Sequence, residues 1–405
     1  MSNSIFKLVK HRIKLLVMPI TKLFTFAFPK NKKLILFSAW FGQKYNDSPK
    51  YLFDYLLENS EYKVVWQTAN KALFRDMKEK GLPVVFRNSL SGLFCQLRAK
   101  MYVSSVEFAD FNRYLMANCI LFDIDHGFPI KQSGHEIPTL DKQYLQMETA
   151  MRRKVKLYKT ASSRFVKDTV CRYSNTRPED VVFCNKPRTD VFFDSNLRSG
   201  VNTCVDELKK GYKAIVYMPT HRSEGQIRLD INSIFNLKNL QQFCEEHDCV
   251  FLIKKHFYHR NEEEDLSSYS RIFDITKEDI EPQTLLFQAD VLISDYSAAY
   301  IDYLLLDRPI LFYTFDYQSF TKFERSLYLK FEDNHSGFRV FNFEDLIAKL
   351  SIVCSDWKDD EHSLGRREIK DMYFDSRLKL GHCREEIKTI IDALMQGNYK
   401  PEWRD

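Results

Sequence analysis

The chain has 405 residues, 44% hydrophobic and 14% aromatic, with 33 Phe and 21 Tyr against only 12 Gly and 12 Pro; that balance excludes collagen-like, elastic and disordered chains. Nine cysteines are scattered without a CxxC pair, which argues against a zinc ribbon or a secreted disulfide framework and leads us to expect reduced, buried thiols in a cytoplasmic setting. The net charge is +5, yet residues 1–33 contain Lys7, Lys10, Arg12, Lys14, Lys22, Lys30, Lys32 and Lys33 and no acid, so that segment is +8, the rest of the chain is −3, and no nucleic-acid-binding body is expected.

The first 33 residues alternate cationic and bulky apolar side chains. Their longest uncharged run, Leu15 to Thr21, is far shorter than the roughly 20 residues a spanning helix needs. Lys22 interrupts the apolar region and no small-residue cleavage site follows, so a secretory signal is not expected either. The pattern predicts an interfacial amphipathic segment drawn to anionic lipid, placing the protein peripherally on the inner face of the cell membrane.

From Lys33 strands and helices alternate. Apolar runs at 33–41, 62–68, 83–86, 100–105 and 118–124 read as buried parallel strands. Between them, residues 47–59 predict a helix capped by Asp47 or Ser48 with Pro49 in its first turn, and residues 70–81 one that stops at Gly81. The second half repeats the scheme, with strands at 213–220, 249–256, 290–295 and 309–315, helices at 237–248 and 297–307, and a terminal helix at 383–396. The polar stretch 194–212 marks the junction. At about 150 residues per domain, the expectation is an α/β protein of two doubly wound Rossmann-type domains facing a cleft, residues 34–200 and 201–405, the latter carrying the terminal helix, preceded by the basic segment 1–33.

In open α/β sheets ligands lie beyond the carboxyl ends of the strands, and the polar clusters of this chain fall there. His126 follows a strand, in a turn with Gly127, Phe128, Pro129, Ile130 and Lys131; a strand-end His is suited to general base work. The Asp123-Ile124-Asp125 triplet matches a DxD metal–nucleotide pair only formally. Arg188, between Pro187 and Asp190, offers bidentate phosphate binding, or else an Arg–Asp pair at the surface. Pro219, Thr220 and Arg222 end another strand, as do Lys254, Lys255 and His256. His256 and His259 have no third ligand nearby, so no metal site is expected. The stretch from Ser294 to Leu306 puts Ser297 and the backbone of Ala298 where a helix begins, a place that suits a phosphate or a cap, with Asp302 one turn in, able to bind a polyol or ribose hydroxyl or to support a neighbouring strand.

These five clusters, in this order, resemble the CDP-glycerol glycerophosphotransferase family, which includes teichoic-acid primases and polymerases; the likeness runs over residues 34–380. The family's W-H-G-T-P turn is similar to Asp125–Pro129, its G-x-P-R-N-D to Asn185–Asp190, its A-P-T-W-R to Met218–Arg222, its basic-x-His to Lys254–His256, and its S/T-D-Y-S-S-x-x-x-D to Ser294–Asp302 followed by Arg308–Asp316. Asp125, Phe128, Ala298 and His221 depart from the pattern, so CDP-ribitol stands beside CDP-glycerol as donor. The resemblance implies a GT-B-like fold and transfer of a polyol phosphate from a CDP-polyol to a hydroxyl of a lipid-linked glycan or polyol-phosphate acceptor, releasing CMP, in synthesis of a teichoic-acid-like polymer, capsule or lipopolysaccharide. His126 is then the general base and His256, with Lys254 and Lys255, stabilises phosphate or departing CMP. Arg188, Thr220, Ser297 and Ala298 hold the diphosphate and Asp302 the polyol or ribose. No cofactor is required; a divalent cation is compatible with the chemistry, although no ligands for one are legible. The nearest alternative is a GT-B glycosyltransferase using a nucleotide sugar, which donor identity separates. A non-catalytic membrane scaffold and a nucleotide-sugar epimerase stand further off.

Overall fold

The computed structural model describes residues 27–137, 140–198, 203–220, 229–256, 265–323, 325–401 and 403, together with 20, 23 and 25. Most of the basic segment 1–33, and with it the expected membrane contact, lies outside the described residues, as do His221, Arg222 and His259. Among the described residues no helix is long and apolar enough to cross a membrane.

Two compact units emerge. One comprises the chain up to His126, Gly134–Arg188 and the chain from Leu378; the other comprises Gly127–Ser133 and Thr189–Arg377. Among the described residues each holds one all-parallel sheet. The first sheet contains β1 (Asn31–Phe37), β2 (Lys63–Thr68), β3 (Val84–Phe86), β4 (Ala99–Ser104), β5 (Cys119–Asp123), β6 (Val155–Ala161) and β7 (Val181–Phe183) in the order β3-β2-β1-β4-β5-β6-β7. The second contains β8 (Lys213–Tyr217), β9 (Cys249–Ile253), β10 (Ile272–Asp274), β11 (Val291–Ser294), β12 (Ile310–Tyr313) and β13 (Phe338–Val340) in the order β10-β9-β8-β11-β12-β13. Both run outward from their first strand in one direction and then in the other. The order reverses between β1 and β4 and between β8 and β11, the switch points where doubly wound sheets bind ligands.

Strand periodicity builds the layers. In β1, Ile35 and Phe37 face a core shared with Trp66, Val103 and Phe122, while Leu34 and Leu36 face the opposite core with Val65, Tyr102 and Leu121. The helix Asp47–Asn59 covers the first of these faces with Leu52, Phe53 and Leu56. The helix Lys71–Glu79 is capped by Asn70, whose side chain accepts from the N–H groups of Ala72 and Leu73. It ends as expected at Gly81, where φ is +72°.

Three features differ from the sequence expectation. The terminal helix Cys383–Gln396 belongs to the first unit: Ile387, Ile391 and Leu394, at helical spacing, are buried in the core around Phe37 and Trp66. The first unit gives way to the second after Arg188 rather than within 194–212, so that Thr189–Arg377 group with the second sheet. The short stretch Gly127–Ser133 leaves the first unit and is strapped to the second. There Phe128 packs edge-on against Tyr373 and Phe374, the Tyr373 hydroxyl donates to the Pro129 carbonyl (3.2 Å), and the Gln132 N–H donates to Ser326 O (2.8 Å).

Candidate active site

At the carboxyl end of the first sheet the backbone takes up unusual conformations. Trp40, Phe41, Asp47, Glu107 and Asp125 all have φ between 46° and 62°, a left-handed region that Trp and Phe rarely enter. Such strain persists where surrounding bonds over-determine it, commonly at functional sites. Here the buried Asp110 carboxylate accepts from the N–H groups of Phe41 (2.6 Å), Ser105 (2.8 Å) and Val106 (2.9 Å). Asp123 accepts from the Glu107 N–H (3.0 Å) and from Lys159 Nζ (2.8 Å), which also pairs with Glu107 (2.6 Å).

This scaffold presents His126. Its Nδ1 lies 2.9 Å from the Ser105 carbonyl and 3.1 Å from Asp125 Oδ1, the Trp40 ring meets it edge-on at 5.0 Å, and its side chain is 44% exposed. A carbonyl only accepts, so Nδ1 carries the proton and the neutral ring keeps its lone pair on Nε2. The packed surroundings oppose the charged ring. The bond and charge of Asp125, the Ser105 carbonyl and the charge of Asp47 outweigh them and raise the imidazole to about 9. Burial likewise opposes ionisation of Asp125, but His126, Lys186 and Lys159 hold its carboxyl well below the usual range.

The buried Arg188 does not face outward as a phosphate ligand would. Its Nη1 donates to Asp47 Oδ1 (3.0 Å) and to the His126 carbonyl (2.6 Å), tying the start of one helix to the His126 turn. Arg188 thus forms a buried strut whose partner, Asp47, lies far away in the chain, not the surface Arg–Asp pair that the sequence left open.

In the second unit the ends of β8 and β11 meet. Thr220 donates through N–H (2.8 Å) and Oγ1 (2.6 Å) to Asp295, and Ser294 Oγ donates to Met218 O (3.1 Å), with Pro219 buried between them in the chain. Ser297 and Ala298 are partly exposed beyond β11, where the short helix Ala299–Tyr303 begins, and the Ala299 N–H donates to Ser297 Oγ (3.3 Å). A Cβ placed on Gly127 would stand 3.9 Å from that of Ala298, so these two residues of the second unit are neighbours. Ile130 reaches the same region, lining a small hollow with Asp295, Tyr296 and Tyr300. After β9, Lys254 Nζ donates to the carbonyls of Glu278 (2.6 Å) and Ile275 (3.2 Å), and His256 is partly exposed.

Two further expected ligands point inward. Lys255, its side chain fully buried, pairs with Asp274 at 3.1 Å, and the buried Asp302 accepts from Gln283 Nε2 at 2.9 Å. The partly or fully exposed members are thus His126, Gly127, Pro129, Thr220, Lys254, His256, Ser297 and Ala298, while Phe128, Ile130, Arg188, Pro219, Lys255 and Asp302 are buried. Sequence reasoning missed Trp40, Asp47, Ser105 and Tyr173, which converge on the His126 turn from strand and helix ends far away in the chain. Among the described residues no group of three or more His, Cys, Asp or Glu side chains is placed to hold a metal ion.

Comparisons with known proteins show the family and the fold. A sequence model of the family described as CDP-Glycerol:Poly(glycerophosphate) glycerophosphotransferase matches residues 20–379. The teichoic acid glycerol-phosphate transferase of Staphylococcus aureus is 24% identical over 370 residues, covering 87% of this chain and 90% of that protein. The teichoic acid poly(glycerol phosphate) polymerase of Bacillus subtilis is 27% identical over 380 residues, and there the match spans 87% of this chain but only 48% of the longer relative. The solved structure of the wall teichoic acid polymerase TagF superposes with a TM-score of 0.75 at 21% identity, over 98% of both chains, and so shares the GT-B-like fold.

Proposed function

The chain belongs to the CDP-glycerol:poly(glycerophosphate) glycerophosphotransferase family, and we propose that it moves glycerol phosphate from CDP-glycerol to a hydroxyl of a membrane-linked acceptor in the synthesis of a cell-surface polymer. The acceptor oxygen attacks the β-phosphorus, the bond from that phosphorus to the CMP oxygen breaks, and CMP leaves. Such a transfer depends on positioning and charge neutralisation. His126 Nε2 takes the proton of the attacking hydroxyl. In the second unit Ser297 and the backbone at Ala298 hold the diphosphate, with His256 and Lys254 on the departing CMP, while Thr220, whose N–H and hydroxyl both donate to Asp295, braces that strand end. Arg188, Lys255 and Asp302 act from behind, each holding another group in place.

The observation that carries this reading is the His126 ring at the end of β5, with Nδ1 committed to a carbonyl and Nε2 left as the basic nitrogen. The basic, apolar segment 1–33 fits an enzyme whose acceptor is anchored in a membrane; co-sedimentation of the full chain with anionic vesicles, reduced when that segment is removed, checks that part.

The donor is tested by offering purified protein CDP-glycerol, CDP-ribitol and a panel of nucleotide sugars with a membrane-lipid extract, and measuring the nucleotide released. CMP from CDP-glycerol, in excess over CMP from CDP-ribitol, is the expected result. CMP from CDP-ribitol alone would change the polyol, and release from a nucleotide sugar alone would overturn the reading in favour of a glycosyltransferase.

A further inference from the structure

Asp125 stands where the family turn quoted above has Trp, and the structure gives this carboxylate a full set of partners. Oδ1 accepts from the His126 N–H at 2.7 Å and lies 3.1 Å from Nδ1 of the same residue; Oδ2 accepts from the Tyr173 hydroxyl at 2.9 Å. Tyr173 comes from the helix Arg164–Ser174, its ring over Lys159 Nζ at 5.4 Å. The Asp125 backbone has φ +58°, a conformation that Asp and Asn tolerate better than other side chains.

We infer that Asp125 is a positioning residue for His126: anchored by Tyr173, its carboxylate fixes the imidazole with Nε2 as the proton-accepting nitrogen and balances the imidazolium that forms when the acceptor hydroxyl gives up its proton. The inference rests on the reading of His126 as general base. The proton passes from the acceptor oxygen to Nε2, the oxygen's electron pair forms the new bond to phosphorus, and Nδ1 keeps its own proton throughout. Asp125 therefore remains a carboxylate, as does the orienting acid of a Ser-His-Asp triad.

Other charges also bear on the ring. Asp47, at the start of the helix Asp47–Asn59, adds to the raised imidazole, while Arg188 reaches the His126 carbonyl, and Lys159 and Lys186 act on Asp125. Removing the Asp125 charge alone leaves these in place, so its effect is separable. Asp125→Asn is the informative change, because Asn keeps the left-handed turn and an oxygen for the His126 N–H while losing the charge. Tyr173→Phe tests the anchor from the other side.

Full-length protein carrying ring-labelled histidine would be titrated by NMR, with the His126 signal identified by its absence in His126→Ala, and CMP release from CDP-glycerol would be followed against pH. We expect the His126 titration to fall from about 9 towards 6.5 in Asp125→Asn. The rising limb of kcat should move down with it, while kcat on the alkaline plateau falls about tenfold and KM for CDP-glycerol stays within about twofold. Tyr173→Phe should shift both in the same direction by less. An unchanged His126 titration, or a raised KM with unaltered kcat, would overturn the inference, even if loss of turnover in His126→Ala upheld the base itself. Full turnover by His126→Ala would instead remove the reading on which the inference rests.

Discussion

At Arg188 a guanidinium whose shape would suit a phosphate is turned inward, and the distinction has measurable consequences. Its partner Asp47 is as buried as itself, and removing one member of a buried pair leaves the other charge uncompensated, at a cost of about 3–5 kcal/mol. Arg188→Ala is therefore expected to lower the urea stability of the first unit by about that amount and to lower turnover by releasing the His126 carbonyl. A variant of unchanged stability whose only defect was a raised KM for the CDP donor would instead restore Arg188 to the role of phosphate ligand. Lys255 and Asp302 teach the same lesson. Residue type and a place at a strand end narrow the candidates, but whether a charged group meets ligand or protein depends on partners such as Asp274 and Gln283, which are brought near only by the fold.

Among the elements, the terminal helix joins sequence ends that composition alone keeps apart. Ile391 is fully buried in the core around Phe37 and Trp66, so Ile391→Ala should destabilise the first unit by about 2–5 kcal/mol, read from the urea transition of the buried Trp66. An effect confined to the second unit would contradict this placement. The apolar periodicity of that helix was legible in the sequence; its partner was not, since one amphipathic face fits many surfaces. The same holds for the strands. Runs such as KLILF and CVFLI are continuous and apolar enough to declare themselves, whereas β6, with Lys156 and Lys159 in its span, and the three-residue β10 and β13 are not. Lys159 is tolerated inside because Asp123 and Glu107 meet it there, a pairing between residues 36 and 52 positions apart that no local pattern reveals. His126, Thr220, Ser297 and their neighbours were legible because they follow apolar runs directly. Trp40, Ser105 and Tyr173 were not, because their relation to His126 exists only once β1, β4 and the helix after β6 are assembled.

For the molecule as a whole, two doubly wound sheets of matching strand order carry separate parts of the proposal: His126, the proposed base, follows a strand of the first, and the polar strand ends proposed to hold the nucleotide donor belong to the second. The basic segment 1–33 is proposed to bring the protein to the membrane surface. The most direct test follows the transferred phosphorus. Phosphorus-31 NMR of wild-type protein with CDP-glycerol and the membrane-lipid extract should show the diphosphate signals replaced by one new phosphodiester and one CMP in equal amounts. The His126→Ala protein, folded by circular dichroism, should be slower by about 10²–10⁴-fold. Equal rates from the two proteins, or CMP accompanied by free glycerol phosphate but no phosphodiester in the presence of acceptor, would contradict the account.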